Sequence, residues 1–184
     1  MTESKNSVYI VDTGSFILLG QLPQDILPFI WYQITELIKE NRLFTHFEVK
    51  REIQKFWMDD PIKIWLLEME KRYEFILPPT PFQASKTAEI QDIYQHFVDT
   101  DTDKPHADPC LIVQMLEFEQ NPQTTFSELE IEYYLITEEH ESSDRKNLKN
   151  PIEVTKIPDF CKVYNLKYFN FWGMVRKEGW KWTN

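Results

Sequence analysis

The stretch SVYIVDTGS, Ser7 to Ser15, decides how this chain is read. Val8, Tyr9, Ile10 and Val11 form a short apolar run of the kind that makes a buried strand, and it stops on Asp12. Thr13, Gly14 and Ser15 are small or hydroxylic, and a second apolar run, Phe16 to Leu19, follows. In an open α/β sheet, ligands bind beyond the carboxyl ends of the strands. A carboxylate that ends a first, central strand therefore faces the place where chemistry is done. The same residues also suit a helix cap, with Asp12 accepting from the first turn and Thr13 and Ser15 making turn hydrogen bonds. Both readings stand until the rest of the chain is taken into account.

Beyond this stretch, Gln21 to Asp25 is a Pro-containing turn. Asp25 is expected to cap a helix carrying Ile26, Phe29, Ile30, Ile34, Leu37 and Ile38 at helical spacing and ending near Asn41. RLFTHF reads as a connector to a second helix, Glu48 to Trp57. There Val49, Ile53 and Phe56 mark the apolar side and Glu52 lies beside Ile53. Asp60-Pro61 opens a third helical pattern (Ile64, Trp65, Leu66, Leu67) that closes near Tyr73, before an extended EFIL. The PPTP segment is a breaker, Glu89 to Val98 reads as a helix, and DTDTDKPH is a polar loop.

Two later stretches repeat the logic of the opening. In HADPCLIVQML, His106 to Leu116, Asp108 followed by Pro109 suits an N-cap with Pro at the first helical position. The helix behind it is almost wholly apolar, so it should be buried, with an acid at its mouth. In EYYLITEE the strand Tyr133 to Ile136 ends in Thr137, Glu138 and Glu139, again a hydroxyl and then acids. A charged loop follows from His140 to Asn150. KIPDFCKVYNLKYFNFW then offers an Asp159 cap, a short amphipathic helix, a last strand (Leu166 to Phe171) and a terminal helix finishing on GWKW. Strands separated by helices predict one domain over residues 1–184, a three-layer α/β/α sandwich around a mostly parallel sheet.

The formal net charge of −10 argues against a broad basic face for duplex DNA or RNA. It leaves room for an enzyme that reaches phosphates through metal ions held by clustered carboxylates. Cys110 and Cys161 form no CxxC pair, so neither a disulfide framework nor a zinc knuckle is expected. The polar start MTESKNS has no signal region and no later run is long enough to span a bilayer; the expectation is a cytoplasmic protein with no membrane partner.

In this order the motifs resemble those of a PIN domain. VYIVDTGS resembles that family's first strand with its Asp-Thr-Asn-Ser ending, and Val49-Lys50-Arg51-Glu52-Ile53 its helix bearing an acid. ADPCLI resembles its Ala-Asp helix start and YYLITEE its hydroxyl-and-acid strand end. ADP, TEE, KIPDFC and the closing GW together look like an uncharacterised PIN-like branch of bacterial and archaeal proteins. The likeness covers almost the whole chain. Two departures stand out: Gly14 replaces the usual Asn, and EFEQNPQTTFSELEIE is longer and more acidic than the family pattern.

The resemblance implies a ribonuclease in which carboxylates hold one or two Mg²⁺ or Mn²⁺ ions. Hard cations prefer oxygen ligands, and crowded carboxylates are costly unless a cation neutralises them. By motif match, Asp12, Glu52 and Asp108 are implied as catalytic metal ligands. Glu138 is the best match for the fourth acid, Glu139 its close competitor, and Asp159 a further candidate. Thr13, Ser15 and Thr137 would orient these carboxylates. Small proteins of this kind often act as the toxin of a type II toxin–antitoxin pair and often dimerise, which implies an RNA substrate, an antitoxin protein and a homodimer. Two rivals remain: a PIN-like interaction or scaffold protein that no longer cuts, and a metal-dependent phosphatase of small phosphate esters.

Other residues have blander readings. His46, His96, His106 and His140 lack ligand spacing and read as surface or loop histidines, with His106 close enough to Asp108 to touch substrate. Tyr168, Phe169, Phe171, Trp172, Trp180 and Trp182 could stack on RNA bases but are expected to pack the last strand and helix. Cys110 has no paired base and reads as a small core residue.

Overall fold

A computed structural model describes residues 6–56, 61–94, 106–120, 131–141 and 156–181. In chain order the elements are β1 (Ser7–Val11), α1 (Thr13–Gly20), α2 (Pro28–Lys39), β2 (Leu43–His46), α3 (Phe47–Phe56), α4 (Pro61–Glu70) and β3 (Ile76–Leu77). They continue as α5 (Pro81–Ile93), α6 (Ala107–Gln120), β4 (Glu132–Ile136), α7 (Ile157–Tyr164), β5 (Tyr168–Phe169) and α8 (Phe171–Lys177). The five strands form one all-parallel sheet in the order β3-β2-β1-β4-β5. Helices flank it, which makes the expected α/β/α sandwich.

β1 is buried along its whole length because it is central, with β2 on one side and β4 on the other. A strand covered on both faces needs a continuous apolar run rather than alternation, and Val8 to Val11 supply it. The pairing with β4 runs in register from Ser7–Glu132 to Val11–Ile136. α6 lies over β1, β2 and β4 and also meets α3, α5 and α7. Ala107, Pro109, Leu111, Ile112, Val113 and Met115 are accordingly buried, as the apolar sequence of that helix requires. Among the described residues no helix is long and apolar enough to cross a membrane.

Several sequence expectations are corrected. RLFTHF is not a connector: Leu43 to His46 form β2, buried at every position. Asp25 caps nothing. α2 begins at Pro28 behind Leu27, which makes no side-chain cap, and Ile26 stays 70% exposed. The third helix buries Ile62, Trp65, Leu66 and Met69, leaving Ile64 outside. α5 starts at Pro81, capped by Thr80, because Thr-Pro at the end of the breaker is itself a helix start. Asp108 lies inside the first turn of α6, which begins at Ala107. Asp159 likewise lies inside α7, whose N-cap is Lys156, and the last strand shrinks to Tyr168–Phe169. Trp57, Asp60, His96, Val98, most of DTDTDKPH, residues 142–155 and Trp182 fall outside the described residues.

Candidate functional site

Parallel strands all end at one edge of a sheet, and here the chain itself marks a place along that edge. It steps outward from β1 to β2 and β3, then crosses back to β4 and continues to β5. The topological switch point therefore lies between β1 and β4. Asp12 leaves β1 there and Thr137 leaves β4, the two tied by a bond from the Asp12 amide to the Ile136 carbonyl (2.9 Å).

Asp12 is 6% exposed and caps α1 while its other oxygen faces the end of β4. Its Oδ1 accepts from the Thr13 amide at 2.5 Å, which caps α1, and its Oδ2 accepts from the Thr137 hydroxyl at 3.0 Å. Glu52 reaches the same place from α3: the Thr13 hydroxyl donates to Oε2, and the Ala107 amide donates to Oε1 at 2.9 Å. That second bond fastens Glu52 to the start of α6, one residue before Asp108. Burial pushes Asp12 up to about 7, with the Glu52 and Glu139 charges adding to it. Asp108 is held well above the usual carboxylate range by burial, then by Asp12, Glu139 and Glu52, against a smaller opposing effect of Lys156. Glu52 is raised by burial, against the bonds from Thr13 and Ala107. These carboxylates share one electrostatic neighbourhood and resist ionising together.

The two acids after β4 part company. Glu138 Oε1 accepts from the Ser15 hydroxyl (3.1 Å) and from the Phe171 amide (2.7 Å), so it joins α1 to the start of α8. Glu139 is the one whose charge acts on Asp12 and Asp108. Its Oε1 accepts from Lys156 Nζ at 3.0 Å and its Oε2 from the Ile157 amide at 2.8 Å. Asp159, buried at 2% exposure, neighbours Lys156 electrostatically rather than standing among the chief charges on Asp12 or Asp108. The three hydroxyl residues singled out in the sequence each serve an acid: Thr13 donates to Glu52, Ser15 to Glu138 and Thr137 to Asp12.

Among the described residues, no three His, Cys, Asp or Glu side chains close into a group that would ligate one ion directly. The donors are nevertheless all oxygen, Asp12 buried and Glu52, Asp108 and Glu139 half-buried, and Asp12, Glu52 and Asp108 resist carrying their charge unaided. Such a set fits a hard divalent ion that keeps several of its waters, with the carboxylates acting partly through them. Cys110 takes no part: burial, then Glu48, Glu52 and Asp108, push its thiol up to about 12.

Sequence reasoning missed two features. Lys156 opens the KIPDFC motif, but there Asp159 drew the attention. His46 is not a surface histidine but 1% exposed; its Nδ1 accepts from the Glu48 amide and its Nε2 faces Gln83 Oε1 at 3.2 Å. It thereby fixes the first turn of α3, the helix that carries Glu52. The signal was present in Thr-His directly after an apolar pair, the same strand-ending pattern as at Asp12. His106 lies just ahead of α6, where its charge acts on Glu52, and His140 is exposed. The aromatic tail packs as expected: Phe169 stacks on Tyr134 (4.8 Å between centroids) and Phe171 is buried with Trp172 edge-on to it.

Fold and site thus define a doubly covered parallel α/β protein with a carboxylate cluster at its switch point. The chain belongs to the family described as a domain of unknown function, DUF4411, whose model matches residues 9–182. No curated protein and no solved structure matches the chain.

Proposed function

We propose that this protein is a Mg²⁺- or Mn²⁺-dependent ribonuclease that hydrolyses phosphodiester bonds at the β1–β4 switch point. The observation that carries the reading is the convergence of Asp12, Glu52, Asp108 and Glu139, from four separate segments, in one neighbourhood where burial and mutual repulsion raise Asp12 to about 7. An acid cluster this costly is expected where a cation neutralises it. Glu139 is assigned the fourth position ahead of Glu138 because its charge acts on both Asp12 and Asp108.

A bound divalent ion would supply an activated water and charge stabilisation at the phosphate. The chain's own residues do the rest. Thr137 and the Thr13 amide fix the two oxygens of Asp12, while the Thr13 hydroxyl and Ala107 amide fix those of Glu52. Donors that orient ligands in this way make the geometry depend less on the ion. The antitoxin partner and the homodimer rest on the resemblance to PIN domains alone.

The test is incubation of the purified protein and its Asp12→Asn variant with a mixed single-stranded and structured RNA pool, in Mn²⁺ and in EDTA. Cleavage that needs both Mn²⁺ and Asp12 is expected. Gly14 in place of the usual Asn and the net charge of −10 favour a second reading, an interaction protein that no longer cuts. No cleavage and no Mn²⁺ effect on melting temperature would leave that one. Mn²⁺ stabilisation without RNA cleavage would point to small phosphate esters.

A further inference from the structure

Among the charges that act most strongly on Asp108 there is one cation, Lys156. It sits at the N-cap of α7 in an extended conformation and makes no side-chain cap bond, so the helix does not require its side chain. Its Nζ instead reaches Glu139 Oε1 at 3.0 Å, and its side chain is 47% exposed against 24% for Glu139. One end of the pair therefore points into the acid cluster and the other toward solvent. Glu139 keeps a second anchor, the Ile157 amide on Oε2, which does not depend on Lys156.

We propose that Lys156 is the resident counter-cation of the acidic site: it holds Glu139 Oε1 until a divalent cation takes that oxygen, and the released ammonium then contacts the phosphate of the substrate. This rests on the metal-dependent phosphodiester reading above. The exchange follows from charge and reach. A divalent ion and an ammonium compete for the same carboxylate, and a half-exposed ion pair is weak enough to give way. A dication beside Glu139 repels the ammonium outward. Lysine is a point charge on a flexible stem, able to follow an incoming phosphate without fixed geometry. The backbone anchor keeps Glu139 in place through the exchange.

The experiment compares wild type, Lys156→Met and Lys156→Arg. The first readout is the Mn²⁺ concentration giving half of the full shift in melting temperature. The second is binding of a fluorescent single-stranded RNA by anisotropy, with Ca²⁺ in place of Mn²⁺. Lys156→Met is expected to need about three- to fivefold less Mn²⁺ and to bind RNA more weakly by a similar factor, with Lys156→Arg close to wild type in both. Unchanged or weaker Mn²⁺ affinity in Lys156→Met, or unchanged RNA binding, overturns the proposal while the metal reading survives. A wild-type protein that shows no Mn²⁺ shift overturns both.

Discussion

At Asp12 the two carboxylate oxygens meet different demands, since Oδ1 caps α1 and Oδ2 takes the Thr137 hydroxyl. Burial raises the group from its ordinary value to about 7. For an acid whose value is raised on folding, the stabilising contribution is full below the unfolded value near 4 and is lost as pH rises through the folded value. The metal-free protein is therefore expected to lose stability between about pH 4 and 7, and Asp12→Asn to flatten that loss, as read by denaturant melts across the pH range. If the proposed metal site holds, Mn²⁺ restores stability most at the upper end, where the carboxylates are ionised. Gln114 presents another buried polar problem: it is fully buried on α6 and neither amide atom has a hydrogen-bond partner among the described residues. Gln114→Met, of similar shape and apolar, is expected to raise stability by about 1–3 kcal/mol, measured from the denaturation midpoint.

Among the elements, α1 and α8 show how the same residue type answers opposite needs. A Cβ at Gly14 would sit 3.5 Å from Asp12 Oδ2 and 3.6 Å from Glu138 Cβ, ordinary contact distances. Gly14→Ala is expected to keep the site's bonds and to stabilise the helix by about 0.5–1 kcal/mol. At Gly173 the same atom would come within 2.9 Å of Phe169 Cβ and 3.2 Å of Asn170 Oδ1, the cap that accepts from the Gly173 amide. Gly173→Ala should destabilise, and thermal melts of the two variants give the contrast. Element boundaries were legible where apolar periodicity met turn chemistry, as at β1 and β4. β2 was not, because LFTH is only four residues between Arg42 and Phe47, and a buried polar His46 looks like a loop residue until Gln83 and the Glu48 amide are seen to satisfy it. Which of Glu138 and Glu139 faces α7 was likewise beyond sequence, because one residue of rotation exchanges two adjacent side chains.

Across the whole molecule, the end of the sheet away from the acids carries a different device. Arg42, just ahead of β2, donates to Glu178 Oε1, and the Tyr9 hydroxyl donates to the same oxygen at 2.5 Å. Arg42 Nε also holds the Ser7 carbonyl at 3.0 Å. The Arg42 and Glu178 side chains are 10% and 4% exposed. Glu178→Ala leaves a buried guanidinium short of its main partner and is expected to cost about 3 kcal/mol in urea melts. The Mn²⁺ concentration needed for half-maximal stabilisation should stay unchanged, because the lost contacts lie at the opposite pole. The global arrangement was readable from the order of strands and helices. The end of the sheet where the acids gather was readable too, because two apolar strand runs, VYIV and YYLI, each end in hydroxyl and acid residues. That same arrangement dictates an order of assembly. β1 is synthesised more than a hundred residues ahead of its partner β4, and Glu139 gains its second anchor only with Ile157. Contacts so far apart in sequence close late. The acids at the ends of β1 and β4 and on α3 and α6 therefore stay apart during synthesis and come together only after Ile157 has been made.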